Sequence, residues 1–195
     1  MSDPLLPQED GATPLSDEER EGLKLSYVTT RGDLNAAEQQ NILKAQKLAA
    51  RRKNKVLSRD YLNDLHKRMY GDVWTWAGTY RKTEKNIGID PVRIQTELQE
   101  LLDNVSYWIE HETYPPDEIA ARFHHKLVDI HPYPNGNGRH ARRAADILLK
   151  ELGQPPFTWG RANLRDAGQT RKTYINALRA ADGHDIVPLL EFVRS

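Results

Sequence analysis

His131, Asn137, Arg139 and Arg142 lie within twelve consecutive positions, in the run His131-Pro132-Tyr133-Pro134-Asn135-Gly136-Asn137-Gly138-Arg139 and its continuation. A neutral imidazole can take a proton from a hydroxyl near physiological pH. Guanidinium groups grip phosphate oxygens in pairs. Asn135-Gly136-Asn137-Gly138 is a dense turn signal. Directly after it a helical pattern resumes, with Ala141, Ala144, Ala145, Leu148 and Leu149 on one face. A helix that begins at such a loop offers unpaired backbone N–H groups and the positive end of its dipole to an anion. Glycines there let a phosphate come close to the backbone. Arg139 and Arg142 are three residues apart and share one helix face. The chemistry this spacing points to is proton abstraction by His131 beside a bound phosphate chain.

The loop needs elements to hold it. Before it, Pro115-Pro116 starts a helix in which Ile119, Phe123 and Leu127 recur every four residues. His131 follows that helix and precedes a proline, which pushes its backbone toward an extended conformation. The helix after the loop is expected from Gly136 to Leu152, with Gly153 as its stop. Residues 92–111 show the clearest period, through Ile94, Leu98, Leu101, Leu102, Val105, Trp108 and Ile109. Ser58 can cap a helix that buries Leu62, Leu65 and Met69 and ends near Gly71. An Ala-, Gln- and Lys-rich helix is expected from Asn35 to about Arg52, and two more near 161–181 and 185–194. Thr79-Tyr80-Arg81 and Ile87-Gly88-Ile89 read as short strands around a polar turn, a small hairpin that needs the helices or a partner to hold it. The fold class is therefore mainly α with one small β-hairpin. Residues 1–20 are acidic and rich in proline, and are expected to be a flexible tail before a single domain over 21–195.

Composition narrows the function classes. The chain has 195 residues and no cysteine, so disulfides, thiolate catalysis and cysteine-held metals are excluded. No apolar run is long enough to span a bilayer, and the N-terminus lacks the apolar stretch of a secretory signal. A cytoplasmic location is the expectation. Twenty-eight basic residues balance 28 acidic ones, which argues against nonspecific nucleic-acid binding. The local basic cluster Lys44, Lys47, Arg51, Arg52, Lys53 and Lys55 reads as a solvated helix end. His124 and His125 point about 100° apart on a helix, so they do not form a metal site with His131. The four tryptophans read as packing residues.

The loop resembles the signature of the Fic family, the helical domains named for filamentation induced by cyclic AMP. It matches at His131, Gly136, Asn137, Gly138, Arg139 and Arg142, with Tyr133 in place of a phenylalanine and Asn135 in place of an acid. Trp74 to Arg81, Phe123 to Leu127 and Tyr174 to Gly183 are similar to the family's flap lead-in, pre-loop helix and closing helices. The whole chain is similar to the Fic subgroup labelled mobile mystery protein B. The resemblance implies a Fic-type helical bundle and transfer of AMP from ATP to a Ser, Thr or Tyr hydroxyl of a target protein, or of the chain itself. His131 would be the general base. Asn137 and the loop N–H groups would hold the α- and β-phosphates, with Arg139 on the β- and Arg142 on the γ-phosphate. Mg²⁺ would be the cofactor, with Asn135 as its ligand through a neutral amide oxygen. Lys85, Asn86, Ile87, Gly88 and Ile89 would form the flap that pairs with the target as an added strand. Glu38 is the candidate for an internal inhibitor that pairs with Arg142; the alternative is a surface glutamate in a helix's first turn. A Fic-like phosphotransferase and a catalytically silent ATP- or partner-binding module are the competing functions. Phosphotransferase relatives carry Lys where Gly138 stands.

Overall fold

The computed structural model describes residues 13–49, 56–161 and 167–195. Among these are eight α-helices: α1 (Asp17–Glu21), α2 (Arg31–Ala49), α3 (Arg59–Tyr70), α4 (Ile94–Glu110), α5 (Pro116–Ile130), α6 (Asn137–Glu151), α7 (Ala167–Asp182) and α8 (Val187–Arg194). The α5–α6 hairpin is the centre. These two helices pack on each other more extensively than any other pair. Ala120 and Ala121 of α5 and Ala141, Ala144 and Ala145 of α6 are wholly buried small residues, which permit close approach. On one side α4 packs on α5. On the other α3 packs on α6, and α2 on α3. Helices α7 and α8 pack on each other, and α8 also touches α5. A bundle of this kind holds the α5–α6 loop rigidly, because both helices that carry it are buried on several sides.

The local signals place most boundaries. Ser58 caps α3 by accepting from the Tyr61 N–H, and Gly71 follows its last turn. Ile94, Leu98, Leu101, Leu102 and Val105 are the buried stripe of α4. Gly153 takes a left-handed φ of 74° just beyond α6. Helix α2 begins four residues earlier than expected, at Arg31. Thr30 and Asp33 form a reciprocal cap there: the Asp33 N–H donates to Thr30 Oγ1 and the Thr30 N–H to the Asp33 carboxylate.

One expected element is corrected, the hairpin: residues 78–91 contain no strand. Arg81 replaces the ladder. Its buried guanidinium donates to the carbonyls of Thr83, Ile89, Ile130 and His131, which cross-links the loop through one side chain. The expected tail is described only over its last eight residues. Residues 13–20 are packed onto the domain, while 1–12 lie outside the described residues. Ser16 and Glu19 make a capping box for α1, Leu15 is buried, and Trp76 Nε1 donates to the Glu19 carbonyl at 2.8 Å. The acidic residues that suggested disorder are thus partly used in capping and pairing. In the basic cluster, Lys44 pairs with Asp72 at 2.7 Å and is exposed, in keeping with a solvated helix end. Residues 51–55 lie outside the described residues.

Candidate active site

His131 is the residue that terminates α5. Its backbone is left-handed, with φ 53° and ψ 58°, rather than extended. The proline after it disfavours the right-handed helical region, and the left-handed one lets its N–H close the last turn on the Leu127 carbonyl. The side chain is buried. Its Nδ1 lies 3.3 Å from the Val128 carbonyl, which can only accept, so Nδ1 carries the proton. Nε2 is then an acceptor, and the Thr13 hydroxyl donates to it at 2.9 Å. Burial pushes the imidazole pKa down to about 4, with Arg81 and Lys85 acting in the same sense. His131 is therefore neutral at pH 7, with an available lone pair already engaged by a hydroxyl.

The loop beyond it is braced from below. Asn137 is buried and clamps the turn: the Tyr133 N–H donates to its Oδ1 at 2.9 Å, and its Nδ2 donates to the Tyr133 carbonyl at 2.7 Å. Both ends of that amide are used internally, so the Asn137 side chain shapes the loop, and any grip on phosphate falls to the backbone. Tyr133 is buried and stacks on His66 at 3.8 Å between ring centroids. The Gly78 N–H donates to His66 Nδ1 at 3.0 Å, which leaves Nε2–H to donate to the Asn135 carbonyl at 3.0 Å. Gly136 caps α6 with φ 79°. A Cβ there would sit 2.4 Å from the Tyr70 ring, whereas a Cβ on Gly138 would meet only the Tyr174 hydroxyl, at 3.9 Å. Gly136 is needed by the fold. Gly138 has no such packing reason and lines the cleft.

That cleft has a volume of about 570 Å³ and is lined by His131, Asn135 to Arg139, Arg142, Thr13, Ile87 and Gly88, with Asn35, Arg31 and residues of α7 opposite. The size is in the roughly 300–1,000 Å³ range of small-ligand sites. Asn135 Oδ1 accepts from the Gly136 N–H, and its Nδ2 is buried without a partner. The Arg142 guanidinium stands 4.5 Å above the Tyr174 ring, and its Nε has no hydrogen-bond partner. Arg139 is engaged by Glu38 at 2.5 Å. Glu38 is completely buried, and Trp74 Nε1 donates to its other oxygen at 2.8 Å. The glutamate therefore meets the first arginine of the pair and not Arg142, and it is not a surface residue. From its place on α2, which packs on α3 below the loop, it meets the arginine nearer the start of α6.

The flap candidates divide. Ile87 and Gly88 line the cleft, and Gly88, at φ 105°, is so close that a Cβ would sit 2.6 Å from His131 Cβ. The Ile89 carbonyl is tied down by Arg81. Asn86 is exposed. Lys85 reaches the N-terminal segment, donating to the Pro14 carbonyl at 2.9 Å and pairing with Glu19. Of the residues that matter here, the sequence reading missed Thr13, Glu19, His66, Tyr70 and Arg81. Only Arg81 carried a usable signal, as a cation inside a segment read as a short strand.

Among the described residues no group of three His, Asp or Glu could hold a metal ion. Asn137 Oδ1 is taken by the Tyr133 N–H, and Asn135 Oδ1 accepts from the Gly136 N–H with one lone pair, so the second lone pair of Asn135 Oδ1 is what the loop side chains could offer a cation held beside a phosphate chain.

Residues 56–149 match the Fic/DOC family. The protein adenylyltransferase Fic of Nematostella vectensis is 31% identical over 145 residues, covering 72% of this chain and 32% of that protein. The chain spans about a third of the length of that curated relative. Among solved structures, Fic-1 (residues 134–508) of Caenorhabditis elegans superposes with a TM-score of 0.64 at 27% identity, covering 89% of this chain and 56% of the other. BepC of Bartonella tribocorum, solved with bound AMPPNP, has a TM-score of 0.69 over 92% of this chain and 97% of its own, at 16% identity, a likeness of fold.

Proposed function

We propose that this chain, whose residues 56–149 match the Fic/DOC family, is a protein adenylyltransferase, transferring AMP from ATP to a Ser, Thr or Tyr hydroxyl of a target protein. One observation carries this reading: a buried, neutral His131 shares a cleft with the glycine-rich start of α6 and with Arg139 and Arg142. In the reaction, the acceptor hydroxyl gives its proton to His131 Nε2. Its oxygen attacks the α-phosphorus, the bond to the bridging oxygen breaks, and pyrophosphate leaves. The N–H groups of Asn137 to Arg139 and the two guanidiniums offset the charge on the phosphates, the main source of catalysis in transfers of this class. Asn135 Oδ1 would be the protein ligand of Mg²⁺, which would supply positive charge against the phosphates. Ile87 and Gly88 would line the approach of the target.

Glu38 would act as an internal brake. It holds Arg139, so a nucleotide's phosphates must displace a buried carboxylate to recruit that side chain. The curated relative named as an adenylyltransferase and the AMPPNP-bound fold neighbour support the class of substrate. A place in the mobile mystery protein B subgroup rests on likeness along the whole chain, and a cytoplasmic location on the absence of cysteine. No helix among the described residues is long and apolar enough to cross a membrane.

The test is incubation with ATP labelled at the α-phosphorus and, separately, at the γ-phosphorus. Protein-bound α-label that disappears in His131→Ala is the expected result. Label from the γ-position alone would identify a phosphotransferase, and none from either a silent nucleotide- or partner-binding module.

A further inference from the structure

The N-terminal segment is seated where a substrate would be. Thr13 is buried, and its hydroxyl donates to the lone pair of His131 Nε2 at 2.9 Å. That is the contact a general base makes with the hydroxyl it is about to deprotonate. The segment is held in place by the loop expected to position targets. Lys85 donates to the Pro14 carbonyl at 2.9 Å and pairs with Glu19, and Thr83 Oγ1 reaches Glu19 at 3.3 Å. Leu15 is anchored in the core, and residues 22–24 are tied to Val73, Trp74 and Thr75 by backbone hydrogen bonds and an isolated bridge. Seating the segment does not fill the phosphate cradle. The cleft of about 570 Å³ lies beside Thr13, with Asn135 to Arg139 and Arg142 on its walls. A segment that only blocked the site would be expected to occupy the cradle. This one occupies the acceptor position and leaves the donor position open.

We propose that Thr13 is an adenylylation site of this chain, modified in cis by its own His131. The inference rests on the adenylyltransferase reading above and names an acceptor for it. In the step, Thr13 Oγ1 forms a bond to the α-phosphorus of ATP. The bond from that phosphorus to the bridging oxygen breaks, pyrophosphate departs with that electron pair, and the Thr13 proton passes to His131 Nε2. The product is a threonine–AMP phosphodiester at the mouth of the cleft. It is bulkier and more anionic than the hydroxyl, so it cannot keep the Thr13–His131 contact. Modification would therefore free the base for hydroxyls of other proteins.

The experiment uses the full chain, as wild type and as Glu38→Gln, with Mg²⁺ and α-labelled ATP, with and without a cell lysate, followed by peptide mapping by mass spectrometry. The expected result is an AMP adduct on Thr13 whose first-order rate constant is unchanged on dilution of the enzyme. Thr13→Ser should retain the adduct, and Thr13→Val should lose it while other acceptors are still labelled. AMP found on other residues or on lysate proteins, with Thr13 unmodified, overturns the inference and leaves the adenylyltransferase reading standing. A rate constant that rises with enzyme concentration overturns modification in cis. Absence of label on the chain and on every lysate protein, in both forms, overturns the adenylyltransferase reading and this inference with it.

Discussion

The two motif glycines have different reasons to be glycine, and a pair of substitutions separates them. Gly136 combines a left-handed φ with a Tyr70 ring 2.4 Å from where a Cβ would stand. Both costs fall on the folded state: strain of order 1 kcal/mol at the backbone, plus the displacement of a buried aromatic. Gly138 is inside the first turn of α6 with open space around it, and alanine is the better helix former by about 1 kcal/mol. Gly136→Ala is expected to lower the melting temperature by several degrees. Gly138→Ala is expected to leave it unchanged or raised, yet to weaken binding of an ATP analogue, because the added methyl projects into the cleft. Thermal melts and a nucleotide titration on the same two proteins check this. Equal binding to wild type and Gly138→Ala would remove the phosphate-approach role of that position.

At the scale of the element, α2 lines the cleft with Arg31 and Asn35 and reaches the motif arginines through Glu38. The carboxylate is buried between Trp74 Nε1 and the Arg139 guanidinium, so its removal has two separable consequences. Glu38→Gln keeps an oxygen for Trp74 but takes away the charge that holds Arg139. Removing one partner of a buried ion pair costs stability, about 3–5 kcal/mol when the other charge is left uncompensated. Here Arg139 borders the cleft and can turn to solvent or phosphate, which reduces that cost. The expected outcome is a several-fold rise in α-label incorporation at subsaturating ATP, with a modest loss in denaturant midpoint. Labelling no higher than wild type, from a protein that remains folded, would show that Glu38 serves the structure only. The correction from Arg142 to Arg139 also belongs to this scale. It depends on the height along α6 at which α2 crosses, set by the packing of α2 on α3 and α3 on α6.

For the whole molecule, the site is built over a floor of neutral histidines. Burial pushes His140 down to about 4 and His124 to about 3, and holds His66 well below the ordinary histidine range. His131 is lowered to about 4 for the same reason. In the unfolded chain all four protonate near 6.5. Between about pH 6.5 and 4 the unfolded state therefore binds more protons than the folded one, and stability falls as pH falls, levelling off below the folded pKa values. Each unit of depression is worth about 1.4 kcal/mol. Asp146 and Glu151, raised by burial, act in the opposite sense, but they are two groups against four. Urea unfolding across this range is expected to show a loss on the order of several kcal/mol on going from pH 7 to pH 4.5. A flat profile would mean that these imidazoles are reached by water.

What the sequence determined by itself is what depends on local spacing. Helix period, caps, the glycine turn and the pair of arginines one turn apart are all short-range, and they located the α5–α6 loop with His131 at its start and Arg139 and Arg142 beyond it. The tertiary structure decided what depends on contacts between distant segments. Glu38 meets Arg139 across 101 positions of chain and Thr13 meets His131 across 118. Arg81 supplants the hairpin ladder because four carbonyls from two segments converge on one guanidinium. None of these leaves a periodic trace, since a single buried polar contact is selected by packing, and packing is a property of the assembled bundle.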